Sequence, residues 1–224
     1  MTLQQDFLGI QYLEEFPQER IAELHEALED LLSHDIEMRN EAMTRLCEMD
    51  AHRRSPLAAS FLVTRLNEHD LYLRAKIVYA IYEVIVGREF LLRPPIRVQN
   101  YIYSMLRTIG EREVYSLLEL LIGDHGIFEP IYTLLNQCSM SGEILVKILA
   151  CPEYPISIRR AACEIIGQIG FLEARQTIES LERRLSDRTT GQLSMAFAPR
   201  SFEEAKELIP VLRRTLDDLW EASV

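Results

Sequence analysis

His34-Asp35-Ile36-Glu37-Met38-Arg39 lines up, at an offset of 35 residues, with His69-Asp70-Leu71-Tyr72-Leu73-Arg74. His, Asp and Arg are shared outright, and two further positions are apolar in both stretches. The frame returns as Pro155-Ile156-Ser157-Ile158-Arg159. Three and seven residues after each Arg the chain is apolar: Ala42 and Leu46, Ile77 and Ile81, Ala162 and Ile166. That spacing follows one face of a helix. A helical pair cannot bury both of its faces alone, so a recurring pair stacks on copies of itself. The Asp stands where its side chain accepts amide hydrogens left unpaired at a helix start. The Arg, four residues on, is expected to reach that Asp or the Asp of the next layer. Asp35, Arg39, Asp70, Arg74 and Arg159 are therefore the structural positions of the repeat.

Helical periodicity extends through most of the chain. It predicts helices over 20–32, 37–49, 56–67, 71–86, 96–108, 111–122, 127–137, 142–150, 156–169 and 171–185, with a further one over 3–15. Gly110 and Gly123 occupy the places of left-handed C-caps. Ser201 and Glu204 read as a capping box that opens a last helix, about 202–221. Only Ser186 to Arg200 resists a helical reading; it is expected to be a loop with Leu193, Met195 and Phe197 at its tip and Arg188 and Arg200 beside them. Between Arg74 and Arg159 there is room for three helices but four are predicted, so one of 127–137 and 142–150 is expected to be an irregular insert. No strand is expected.

At 224 residues, with 48% apolar and 26% charged residues, the chain is long enough for one sizeable core and too apolar for disorder. Its net charge of −11 disfavours duplex DNA and anionic membranes, which demand basic neutralisation. Cys47, Cys138, Cys151 and Cys163 form no C-x-x-C pair and sit among apolar residues, as buried thiols of a reducing compartment do. The first residues lack the basic start and apolar block of a signal peptide. A cytoplasmic, non-membrane protein is expected.

Ile156-Ser157-Ile158-Arg159-Arg160-Ala161-Ala162-Cys163-Glu164-Ile165-Ile166-Gly167-Gln168-Ile169-Gly170, followed by Ala174, Leu181, Leu185 and Asp187, resembles a HEAT repeat. More narrowly, it is similar to the short bacterial type also found in phycobilin lyases. The resemblance covers 155–187 and, less fully, 34–87. It implies an all-α fold, an α-α superhelix of about five to six helical pairs forming a single HEAT-like solenoid domain over 1–224. It also implies a concave face that binds proteins or peptides. The 35-residue offset is shorter than the usual HEAT length.

The same scaffold carries chemistry in other families, and three cases bear on this chain. Deoxyhypusine hydroxylases are HEAT-like proteins that hold two irons through His-Glu pairs, which His25-Glu26, His34-Asp35 and His69-Asp70 resemble. The two latter Asp residues already have a capping role at helix starts. HEAT-like alkylpurine DNA glycosylases need a basic face and aromatic residues, whereas the single Trp220 here is expected to cap the last apolar layer. A lyase-like tetrapyrrole role needs a thiol nucleophile, and Cys151 beside Pro152 is the candidate. No Gly-rich phosphate loop, nucleophile elbow or zinc cluster is present. The expected function is a non-enzymatic scaffold or adaptor without cofactor, with an enzyme or cofactor-holding protein as the alternative.

Charge and aromatics suggest where a partner docks. From Asp6 to Glu37 ten acidic residues face one base, Arg20. Glu19, Glu23, Glu26 and Glu29 are the core of this patch, suited to a partner with a basic segment. Arg93 and Arg97 belong to an opposite, Arg-rich region, and the two are expected to lie at different ends of the solenoid. Tyr72, Tyr79 and Tyr82 share one helix and are candidate contact residues; half-buried packing is the other reading of such a stripe.

Overall fold

The structure, a computed structural model, describes residues 4–5, 11–87, 92–192 and 201–222. Among them are twelve α-helices, and the fold is all-α. By packing, the chain divides into two compact units, Met1–Ser139 and Met140–Val224.

The first unit holds α1 (Ile21–Asp30), α2 (Ile36–Glu48), α3 (Ala51–Arg54), α4 (Pro56–Thr64), α5 (Leu71–Val86), α6 (Ile96–Leu106), α7 (Glu111–Gly123) and α8 (Phe128–Asn136). Its helices form two rows. α1, α4 and α6 follow one another in one row, and α2, α5 and α8 in the other. Ala42, Leu46, Ile77 and Ile81, the apolar positions of the repeat, are fully buried between the rows. Each such Leu or Ile stabilises the unit by about 1.5–3 kcal/mol. Met38 of α2 and Leu57 of α4 are not buried: they are 42% and 47% exposed. Both lie in the first turn of their helices, where the neighbouring row does not reach over them.

The second unit holds α9 (Ser141–Ala150), α10 (Ile156–Ile169), α11 (Arg175–Gln192) and α12 (Ser201–Glu221). α10 lies between α9 and α12, and α11 packs on α12. Ala162 and Ile166 are again fully buried. α9 passes so close to Phe171 that a Cβ on Gly142 would stand 2.5 Å from the ring, so only glycine fits there. Gly170 ends α10 in the left-handed conformation, with φ of 66°.

Several expectations are corrected. α8 packs on α5 and α7, and α9 on α10, so neither 127–137 nor 142–150 is an irregular insert. Gly110 and Gly123 are not left-handed caps. Gly110 precedes α7 in extended backbone, and its amide donates to Glu113 Oε2 at 2.9 Å; Gly123 is the last residue of α7. α11 runs on to Gln192, so Ser186–Gln192 is helix rather than loop; residues 193–200, with Leu193, Met195, Phe197 and Arg200, lie outside the described residues. The segment 3–15 is not helical where it is described. Gln4–Gln5 (β1) pairs antiparallel with Gln11–Tyr12 (β2), and β2 pairs parallel with Leu92–Arg93 (β3). α3 was not expected, being a single turn without a period to read.

Asp35 and Asp70 cap their helices, accepting from the amides of Glu37 at 2.9 Å and Leu73 at 2.8 Å. Pro155 takes the Asp position in the third copy and offers no side-chain cap. The arginines do not reach these Asp residues. Each folds back to a carbonyl left unpaired where the preceding segment ends. Arg39 donates to Ser33 O at 2.9 Å and Arg74 to Glu68 O at 2.5 Å, both six residues back; Arg159 donates to Leu149 O at 2.8 Å. Each then meets a carboxylate further along the chain. Arg39 reaches Glu68 at 3.2 Å, Arg74 reaches Glu119 at 2.8 Å, and Arg159 reaches Glu204 at 2.5 Å. The last two steps are both 45 residues long. Glu204, read from the sequence as half of a capping box, thus serves Arg159. The reason lies in burial: Arg74 and Arg159 are 3% and 1% exposed, and a buried guanidinium needs acceptors on several sides, which carbonyls facing the helix start supply.

Glu68 is the hub of the first unit. Its Oε1 accepts from the amides of His69 and Asp70 and from Arg39, and its Oε2 from Arg65 at 2.6 Å. Burial alone would raise its carboxyl pKa; these amide and guanidinium donors more than offset that and hold it below the ordinary value. Glu113 is lowered in the same way, against burial, by the Asn67 side chain and the Gly110 amide.

Two outcomes are expected. Arg74→Ala removes the guanidinium's bonds to Glu68 O and Ser116 O, leaves the buried Glu68 O without that donor, and costs about 1–3 kcal/mol in urea unfolding. Glu119→Gln, which touches only the half-exposed end of the pair, costs under about 1 kcal/mol. Equal losses would show that the ion pair, not the carbonyl bonds, matters. The second outcome concerns acid. A carboxyl lowered on folding stabilises the fold fully above its unfolded pKa, about 4.5 for Glu68, and loses that contribution as pH falls through the folded value. Tm is therefore expected to be insensitive to Glu68 between pH 7 and 5 and to fall below about pH 4.5. Glu68→Gln lowers Tm at pH 7 and flattens the acid limb.

Candidate functional site

The acidic helix α1 is exposed along Glu23, Glu26 and Glu29, as is Glu19 before it, but its charge is partly answered. Glu23 takes both a 2.9 Å and a 3.0 Å bond from Arg20, which holds its carboxyl below the ordinary value. Arg45 of α2 pairs with Asp30 and stands 3.9 Å from Glu26. Next to this pair an open trough of about 600 Å³ runs between α1, α2 and α5. Asp30, Met38, Asn40, Glu41, Thr44, Arg45 and Lys76 line it. Lys76 extends over the ring of Tyr72, 4.6 Å from its centre, and Tyr72 is 66% exposed. The sequence candidates Glu26 and Tyr72 thus reach one trough through Arg45 and Lys76. Neither linker was singled out from the sequence, because pairing across helices leaves no mark at fixed spacing.

The other candidates go elsewhere. Tyr82 donates to Glu129 at 2.8 Å, and Tyr79 points its hydroxyl at Gly126 O at 3.5 Å, so both tie α5 to the α8 region. That is the packing reading of the stripe. The Glu129 bond to Tyr82 raises the phenol above its ordinary pKa. Arg93 and Arg97 do not lie at the opposite end from the acidic segment. β3 pairs with β2, Leu13 donates to Arg93 O at 2.9 Å, and Arg97 stands 3.5 Å from Glu15. Acidic and Arg-rich stretches therefore meet side by side within the first unit.

The chemical candidates are not assembled into a centre. Among the described residues no three His, Cys, Asp or Glu converge as metal ligands. Asp35 and Asp70 are engaged as caps. Trp220 does not close an apolar layer: it is 58% exposed, with the Arg175 guanidinium over its ring at 4.8 Å. No cysteine is in a disulfide. Cys151 follows α9 and is half-buried, whereas Cys163 lies against Thr215, and burial pushes its thiol up to about 12. Buried His52, in α3, bonds Glu83 at 2.9 Å. No described helix is long and apolar enough to cross a membrane.

No family model matches the chain, and no curated protein matches it. Among solved structures it is similar to the crystal structure of an engineered protein from the Northeast Structural Genomics Consortium. The two are 14% identical, with 86% of this chain and 97% of that chain covered and a TM-score of 0.26.

Thiol chemistry gives the test. At pH 8 an aromatic disulfide reagent is expected to titrate at most Cys47 and Cys151 in the folded chain, with Cys138 and Cys163 reacting only after denaturation. Rapid labelling of Cys163, read by mass spectrometry of peptides, would contradict the packing of α10 on α12.

Proposed function

We propose that the chain is a non-enzymatic protein-binding module, a HEAT-like solenoid working in the cytoplasm, whose trough between α1, α2 and α5 receives a segment of another protein with basic side chains. The observation that carries the reading is the convergence at one place of Asp30 and, through Arg45, Glu26 of α1 with the exposed Met38 and the Lys76–Tyr72 stack. Exposed Met and Tyr beside a concavity supply adaptable apolar contact, and Tyr is favoured at contact hot spots. The carboxylates of α1 attract a basic partner and set its orientation more than its affinity. The two rows of helices in the first unit support the solenoid reading, since succession from row to row is what stacked repeats produce.

Quantitative affinity capture from native lysate tests it. A stoichiometric partner held by the unaltered chain is expected to be reduced at least tenfold by Met38→Asp with Tyr72→Ala, which corresponds to about 1.4 kcal/mol. Reversal of Glu23, Glu26 and Glu29 to Lys is expected to weaken capture while leaving the helical signal intact. Glu207→Lys, exposed on α12, retains the partner. Undiminished capture by the trough variants removes the trough from consideration. Visible absorbance or stoichiometric iron in the purified chain removes the non-enzymatic reading.

A further inference from the structure

Residues 11–16 run as a strap across the first unit, and the bonds they make to β3 and to Arg54 are of a kind that proteins use on foreign peptides. β2 adds in parallel to the edge of β3, with Gln11 opposite Leu92 and Tyr12 opposite Arg93. Leu13 donates to Arg93 O at 2.9 Å, and Phe16 to Arg54 O at 3.0 Å. The Arg54 guanidinium, at the end of α3, reads two successive carbonyls, Glu14 O at 2.9 Å and Glu15 O at 3.2 Å. On the strap's side these bonds involve backbone alone and do not depend on its side chains. Two side chains do anchor it. Leu13 and Phe16 are 5% and 7% exposed. Between them the Glu pair faces outward, and Arg97 stands 3.5 Å from Glu15. Beside Phe16 a recess of about 170 Å³ remains, lined by Ile21, Leu24, Pro56 and Leu57.

Strand addition for affinity, pockets for alternate anchors and a cation for an acidic residue together make a peptide-recognition surface. We propose that the surface formed by Arg54, the β3 edge and Arg97 is a binding groove for an extended acidic peptide of the pattern apolar, Glu or Asp, Glu or Asp, apolar, and that the chain's own Leu13-Glu14-Glu15-Phe16 occupies it in cis. The occupant is fixed by charge complementarity with Arg97, by the two carbonyls that Arg54 reads and by the two anchors three residues apart. This site is separate from the trough, and its standing does not depend on the trough's role. A tethered segment acts at an effective concentration of roughly millimolar, so an outside peptide competes poorly until the strap is released.

The test uses the full chain and a fluorescent peptide, Gln-Tyr-Leu-Glu-Glu-Phe-Pro, copied from residues 11–17. Its anisotropy is expected to report binding at least tenfold tighter to the Leu13→Ser, Phe16→Ser chain than to the unaltered one. Adding Arg54→Gln to that chain is expected to lose at least fivefold, and a peptide with Ser for Leu and Phe to lose binding. Equal affinity for the altered and unaltered chains, or indifference to Arg54→Gln, overturns the proposal. Circular dichroism checks that the helices persist. Where the double variant does not fold, Leu13→Ala alone is expected to raise peptide affinity about threefold, and no gain overturns the proposal equally.

Discussion

A guanidinium without water must be surrounded by acceptors, and that requirement shapes both units. Arg74 and Arg159 sit at the same place in their helices, nearly sealed from solvent. Leaving either charge unpaired in the interior would cost several kcal/mol. The available acceptors are the carbonyls that the preceding segment cannot use itself, because helix ends leave them unpaired. Each arginine therefore fixes how one helix starts relative to how another ends. The carboxylate that pairs with each guanidinium comes from far along the chain, Glu119 or Glu204, so the same side chain also fixes a longer-range neighbour. Apolar burial supplies most of the stabilisation; the arginines specify which arrangement receives it.

Most of the helices were legible because their signal is local. Periodicity, Asp caps and the Pro-rich breaks are written within a few residues of the feature they cause, and Ala42, Leu46, Ile77, Ile81, Ala162 and Ile166 are buried as their spacing implies. What misled was whatever depends on residues distant in sequence. The arginines were paired with the nearest Asp, although the nearer partners are carbonyls, which have no letter in a sequence. Glu68 stands one residue before the repeated frame, opposite Ser33 in the other copy, and nothing local distinguishes it from a surface glutamate. Gly110 and Gly123 fit a left-handed cap by composition, yet Gly110 opens a helix and uses its amide toward Glu113.

The surface candidates divide by the same logic. Glu26 and Tyr72 meet at one trough because Arg45 and Lys76, each on a neighbouring turn or helix, bring them there. Tyr79 and Tyr82 share the helix of Tyr72 but point at another neighbour and serve as internal struts. A stripe on one helix thus divides between an exposed member and two that hydrogen-bond within the unit, according to which group stands opposite each. Charge was misplaced for a related reason: a run of acidic residues and a run of arginines are remote along the chain but lie adjacent once the strap crosses.

The parallel pairing of Gln11 with Leu92 also orders events at birth. Ribosomes extend a chain from its first residue at about 5–20 residues per second, and helical pairs close within far less time than that. β2 cannot add to β3 until the stretch from α1 to α5 between them has been made. Local helices between the two have formed by then, and closing so long a loop is the entropically expensive step. The strap's seat against β3 is thereby settled only after the helices between the two strands have been made.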